Sequence, residues 1–239
     1  MPKPMPLLIL ALLGCRESRF DETVELDVSL ATRFVSDLQK GDVSYRGLGG
    51  DVARVRVSSW GRASRRATAE RNQLGNAWEV DVSGNDLIAT SSSTYVRAGV
   101  DMTVDGPDLF DVQATTRNGS VFVEDVLGSH VLEGDFVDTR RLEGEAQIRA
   151  GSLGVNAEIW PYEDGDVFID SAGSVTLALP AFGPYDIRIV GQVSESLTLV
   201  DLGFDEVVLG EGFAEAWRHP RTTRIEVFTS GTFELAESR

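Results

Sequence analysis

Val112-Gln113-Ala114, Val121-Phe122-Val123, Val131-Leu132, Ala146-Gln147-Ile148, Val155-Asn156-Ala157, Val167-Phe168-Ile169 and Val175-Thr176-Leu177 decide the fold. Each is a very short β-favouring core, and nearly every one alternates a small or branched residue with a polar one. Successive starts lie 9, 10, 15, 9, 12 and 8 residues apart. Turn residues stand between them: Asn118-Gly119, Gly128, Gly134, Gly144, Gly151, Gly154, Asp164-Gly165 and Gly173. Asn-Gly and Asp-Gly supply the positive φ angles of tight turns. A meander of hairpins would give similar spacing. Cores this short instead favour stacked coils, in which each rung buries its inward residues against the rungs above and below. The expected fold is all-β: a single-stranded β-solenoid or β-roll of short rungs.

Upstream, Val24, Leu26, Val28 and Leu30 alternate with polar residues, as do Val55 and Val57 with Arg54 and Arg56, and Trp78, Val80 and Val82 with Glu79 and Asp81. All three stretches read as strands. Residues 63–74 (ASRRATAERNQL) give the one helix expected, built from good helix formers and ending before Gly75. It is expected to cover a strand edge at one end of the coil or to pack beside it.

Residues 1–14 read as a signal peptide. Lys3 precedes the seven apolar residues Leu7–Leu13, and Gly14 stands directly before Cys15. A run of seven is far short of the roughly 20 residues that span a bilayer. This resembles the lipobox of bacterial lipoproteins, which implies cleavage between Gly14 and Cys15 and fatty acylation, palmitate included, of Cys15. Residues 15–22 are then expected to be a lipidated tether and residues 23–236 the folded domain. Arg16 after the cysteine, by similarity to enterobacterial lipoproteins, points to the outer membrane, with the domain facing the periplasm or the surface. Cys15 is the sole cysteine, so no intramolecular disulfide can form.

The chain carries a net charge of −16, with 42% apolar and 25% charged residues. That composition is ordinary for a folded globular chain. The charge argues against nucleic acid as a partner and against anionic head groups.

Chemistry-bearing patterns are few. No Gly-x-Ser-x-Gly elbow occurs, the one cysteine is taken by the expected lipid, and the two histidines, His130 and His219, read as structural or exposed. Asp101, Asp105, Asp108 and Asp111 form the densest acidic cluster, but apolar residues interrupt it, and it reads as solvated turn acids. No cofactor and no metal site is expected. Trp160 and Tyr162, around Pro161, are candidates for an exposed aromatic contact. Trp60, Trp78 and Trp217 read as core.

Three stretches share a Thr or Ser, one or two residues, Gly and then an alternating strand: Thr116-Arg117-Asn118-Gly119 before Val121-Phe122-Val123, Ser171-Ala172-Gly173 before Val175-Thr176-Leu177, and Thr229-Ser230-Gly231 before Phe233-Glu234-Leu235. With Leu177-Ala178-Leu179-Pro180, these resemble the bacterial putative-adhesin domain family of unknown function, over about residues 24–235. The segments 138–143 (DTRRLE) and 160–164 (WPYED) depart from the repeat. The resemblance implies a β-solenoid, often in lipoproteins, without established enzymatic activity. The expected role is therefore a membrane-anchored envelope lipoprotein that binds an envelope protein or a surface glycan, or scaffolds, and is not an enzyme. A polysaccharide-active β-helix enzyme or an envelope-assembly accessory lipoprotein are the alternatives.

Overall fold

The computed structural model describes residues 15–161, 165–180, 183, 185–193, 204–217 and 223–237. The signal region, Gly14, Tyr162 and His219 lie outside them. The described residues are all-β with one short helix. Its elements are β1 (Arg16–Asp27), β2 (Arg33–Leu38), β3 (Val43–Gly47), β4 (Val52–Ala63), α1 (Arg66–Leu74), β5 (Asn76–Ser83), β6 (Asp86–Ser93), β7 (Ala98–Gly106), β8 (Asp111–Thr116), β9 (Ser120–Trp160), β10 (Val167–Ser171), β11 (Val175–Leu179), β12 (Tyr185–Val193), β13 (Glu206–Gly210), β14 (Phe213–Trp217) and β15 (Thr223–Glu237).

The short alternating cores pair in parallel and in register. Ala146, Val167, Ile225 and Ile187 stand at one level of β9, β10, β15 and β12, and Ile148, Ile169, Val227 and Ile189 stand two residues along. All eight side chains are buried. A second file sets Val155 and Ala157 of β9 against Val175 and Leu177 of β11, and these against Phe233 and Leu235 of β15. Nearer the N-terminus, β2 pairs in parallel with β6 and β8, and β3 with β7 and β9. Alternation explains this arrangement: in a parallel stack every second residue faces the same interior, so like faces like from strand to strand.

The sheet is not uniformly parallel. β1, β4 and β7 form an antiparallel set, as do β5 with β6 and β12, β14 and β13. A single repeating coil is therefore too simple an expectation for the two ends. The tether is a second correction. Arg16–Asp21 belong to β1, laddered from Arg16 opposite Ala63 through Asp21 opposite Ser58. Arg62 pairs with Glu17 at 2.8 Å and holds its carboxyl below the usual range, with desolvation opposing and Arg19 assisting. Cross-strand charge and backbone ladder, not apolar burial, order this edge. The helix starts at Arg66, because Ala63 closes β4 and is buried there. It packs beside β4: Asn72 Nδ2 donates to the Arg62 carbonyl at 3.0 Å. Leu30, expected to face inward, is 80% exposed because β1 has already ended at Asp27.

β9 runs for 41 residues by bending at corners. Asp125, Arg141, Gly144 and Gly154 have φ of 60°, 47°, 116° and 92°. Asp125 and Arg141, both left-handed, form an ion pair. The departure at 138–143 is thus one of these corners.

The Thr/Ser–Gly motifs prove to be corner fasteners. Thr116 Oγ1 is buried and donates to the Gly41 carbonyl at 2.8 Å. Thr229 Oγ1 donates to the Gly173 carbonyl at 2.7 Å and accepts from Gly231 N–H at 3.0 Å. Ser171 Oγ accepts from Gly173 N–H at 3.1 Å. Each satisfies backbone groups that a turn takes out of the ladder. Thr116→Val, which keeps the shape and strands the Gly41 carbonyl, is expected to cost about 1–2 kcal/mol in urea unfolding. Half-buried Thr115→Val, on the opposite face of β8, serves as the control.

Candidate functional site

A concavity of about 690 Å³ lies on the outer face of β1, β4, β7, β3 and β9. The ladders explain its composition. Asp21, Ser58 and Asp101 stand opposite one another across β1, β4 and β7. The next outward row is Thr23, Arg56, Thr103, Ser44 and Phe122. Both are the polar half of an alternating pattern whose other half, including Val55, Val57, Met102 and Val104, is buried.

Asp101 organises the groove. Its Oδ1 accepts from Trp60 Nε1 at 2.9 Å and from the backbone N–H of Asp42 at 3.2 Å, while Arg19 approaches Oδ2 at 3.7 Å. Burial raises its pKa, and the hydrogen bonds from Trp60 and Asp42 pull the other way. Asp42 Oδ1 accepts from Ser120 N–H at 2.8 Å, and Ser58 Oγ donates to Asp21 Oδ1 at 2.5 Å. These carboxylates are engaged in holding the face in shape. A preorganised polar groove with one ring, Phe122, at its rim suits recognition of a polar chain more than proton transfer.

Trp60 lies in this outer face, not in the core. It has the same parity along β4 as Arg54, Arg56 and Ser58, which is the sequence signal that reveals it. Trp78 is partly buried and packs against the core, and Trp217 is half-buried at the end of β14. Of the acidic cluster, Asp101 and Asp105 are strand residues of β7, Asp108 lies in the following turn, and Asp111 opens β8, where its Oδ1 accepts from Ser129 N–H at 2.8 Å. The reading as turn acids holds for Asp108 alone. Among the described residues, no group of three or more His, Cys, Asp or Glu could hold a metal ion. Trp160 ends β9 and is 38% exposed. Its suggested companion Tyr162 lies outside the described residues. Cys15 is exposed, one residue before β1. His130 is buried, and its Nε2–H donates to the Glu143 carbonyl at 3.1 Å.

No family model and no curated protein matches the chain. Solved structures do. A putative cell adhesion protein from Clostridium sporogenes superimposes with a TM-score of 0.50 at 10% identity, over 92% of this chain and all of that one. A putative lipid binding protein from Parabacteroides distasonis gives 0.34 at 11% identity, over 92% and 97% of the two chains. A putative adhesin from the same organism gives 0.30 at 11% identity, over 91% and 97%. At such identities the likeness is one of fold, and the Clostridium structure carries it. No helix among the described residues is long and apolar enough to cross a membrane.

Proposed function

We propose that this chain is a lipid-anchored protein of the bacterial envelope, facing the periplasm or the surface from the outer membrane, and that it acts by binding or scaffolding on a β-solenoid of adhesin type. The solenoid reading is supported by the in-register parallel files of β9, β10, β15 and β12 and of β9, β11 and β15. The anchor is supported by Leu12-Leu13-Gly14-Cys15 and by the exposure of Cys15. The observation that carries the binding role is the groove around Asp101, whose polar groups are fixed by one another on a sheet face and open to solvent. Its ligand is a polar chain, an envelope protein segment or a surface glycan.

Two experiments test this reading. Cys15→Ala should move the protein from the membrane to the soluble fraction, since two or more acyl chains are what hold such a protein stably; continued membrane association would refute the anchor. Cross-linking in intact envelopes through a photoreactive residue at position 122 should capture a partner, and Arg56→Glu should abolish capture while leaving the melting temperature unchanged. Capture unaffected by Arg56→Glu would remove the groove from the proposal.

A further inference from the structure

The acidity of this chain is unevenly spread. Residues 1–100 carry 13 Lys and Arg against 12 Asp and Glu, whereas residues 101–239 carry 9 against 26. The fold concentrates the N-terminal cations further. β1 begins, β4 ends and β7 begins at one end of the antiparallel set: Arg16 stands opposite Ala63, and Gly61 opposite Ala98. α1 leaves β4 at that end. Arg62 N–H donates to the Arg97 carbonyl at 2.8 Å, and Thr94 N–H to the Gly75 carbonyl at 3.1 Å, which joins the β6–β7 turn to the end of the helix.

Arg16, Arg62, Arg65, Arg66, Arg71 and Arg97 are all exposed there. Their acidic neighbours are Glu17, bound to Arg62, Glu70, bound to Arg66 at 2.9 Å, and Asp101, whose charge also acts on Arg62. Arg71 lies over the Tyr95 ring at 5.9 Å. Two aliphatic side chains protrude from the same surface, Leu74 at 78% and Val96 at 86% exposure. Cationic side chains around protruding apolar ones are the make-up of a surface that rests on a bilayer. Cys15 emerges among them, one residue before Arg16.

We propose that this end of the domain, α1 together with the 94–97 turn, docks on an anionic lipid surface, with head groups paired to the arginines and Leu74 and Val96 entering the interface. The orientation rests on the anchor at Cys15 proposed above. With no slack between Cys15 and β1, an anchored chain must bring this basic end to the membrane. The overall negative charge does not prevent it. Screening at physiological salt acts over about 8 Å, so the bilayer senses the arginines beside it more than the distant acids.

Cys15 is the one cysteine and is exposed, so residues 15–239, which hold every ladder described above, can be coupled through it to a maleimide lipid in vesicles. The coupling supplies the anchor whether or not cells acylate Cys15, so this test and that of Cys15→Ala fail independently. Hydrogen exchange of residues 62–76 and 94–97 is expected to slow about fivefold or more on vesicles of phosphatidylcholine with phosphatidylglycerol, relative to phosphatidylcholine alone. Arg65→Gln/Arg66→Gln/Arg71→Gln should abolish the difference. Leu74→Ser/Val96→Ser, which leaves the charges in place, should reduce it. Exchange that is equal on the two vesicles, or protection that survives the triple substitution, overturns the proposal. Equal protection of these amides by soluble polyglutamate without vesicles would overturn it in favour of an acidic polypeptide partner.

Discussion

Gly144→Ala is expected to unfold this protein more readily than any other single-methyl addition in β9. Gly144 sits at a corner with φ of 116°, a backbone conformation that costs an L side chain about 1–3 kcal/mol. The added Cβ would also meet the carbonyl oxygen of Gly128 in the neighbouring corner, which is backbone and has no rotamer by which to withdraw. Corner must therefore separate from corner, or the ladder beside them must shift. A loss of about 3 kcal/mol or more follows, lowering the melting temperature by about 6–12 °C for a domain of this size. Gly84→Ala is the comparison. Its φ is also positive, at 61°, but nothing lies within 4 Å of the added methyl, so it should show the backbone part of the cost alone. Equal losses in the two variants would show that corner stacking contributes nothing.

The second large effect is an acid-induced loss of stability centred on His130. Burial lowers its pKa from 6.5 to about 4, with the Glu143 carbonyl and the charge of Asp111 opposing. Its Nδ1 has no hydrogen-bond partner among the described residues. A second proton would thus be placed in a dry interior. Because the folded pKa lies below the unfolded one, the unfolded chain binds more protons between them. Stability is then fully present above about pH 6.5 and falls as pH drops towards 4, by roughly 3 kcal/mol in all. Asp101 and Asp138 act in the opposite sense, since burial raises both of their pKa values and protonation relieves it. His130→Gln should flatten the decline between pH 6.5 and 4 in urea titrations. An unchanged slope would place the acid sensitivity elsewhere. Since the Glu143 carbonyl precedes Gly144, the two effects are coupled, and His130→Gln with Gly144→Ala should not be additive.

The seven alternating cores were legible because inward and outward facing is a local property: Val121 and Val123 declare it against Phe122 without reference to any partner. What they pair with is not local. Val43 stands between Met102 and Val121, and nothing in any of the three stretches specifies the others. The strand character of residues 16–21 was not legible for a similar reason. Arg16-Glu17-Ser18-Arg19 has no apolar period, and its order comes from a strand that lies far downstream. The groove could have been found in part. Trp60 shares parity with Arg54 and Arg56, so its outward direction was readable, whereas its partner Asp101 is brought to it only by the antiparallel pairing of β4 with β7. The hydroxyl–glycine motifs were visible as a pattern but not as a mechanism, because the Thr116 and Thr229 hydroxyls serve carbonyls of other rungs.

β1 has a consequence for how such a molecule is made. It is the first of the described strands to be synthesised, and its ladder partner among the described residues is β4, so Asp27 waits for Val52 and Arg16 for Ala63. Throughout that interval the segment after Cys15 lacks the strand it pairs with in the fold. Cleavage and acylation at Cys15, as proposed above, would act on this chain before the sheet beside it is finished. On the anchor proposed above, late closure of β1 would leave an interval for that processing, which the pairing of Arg16 with Ala63 would end.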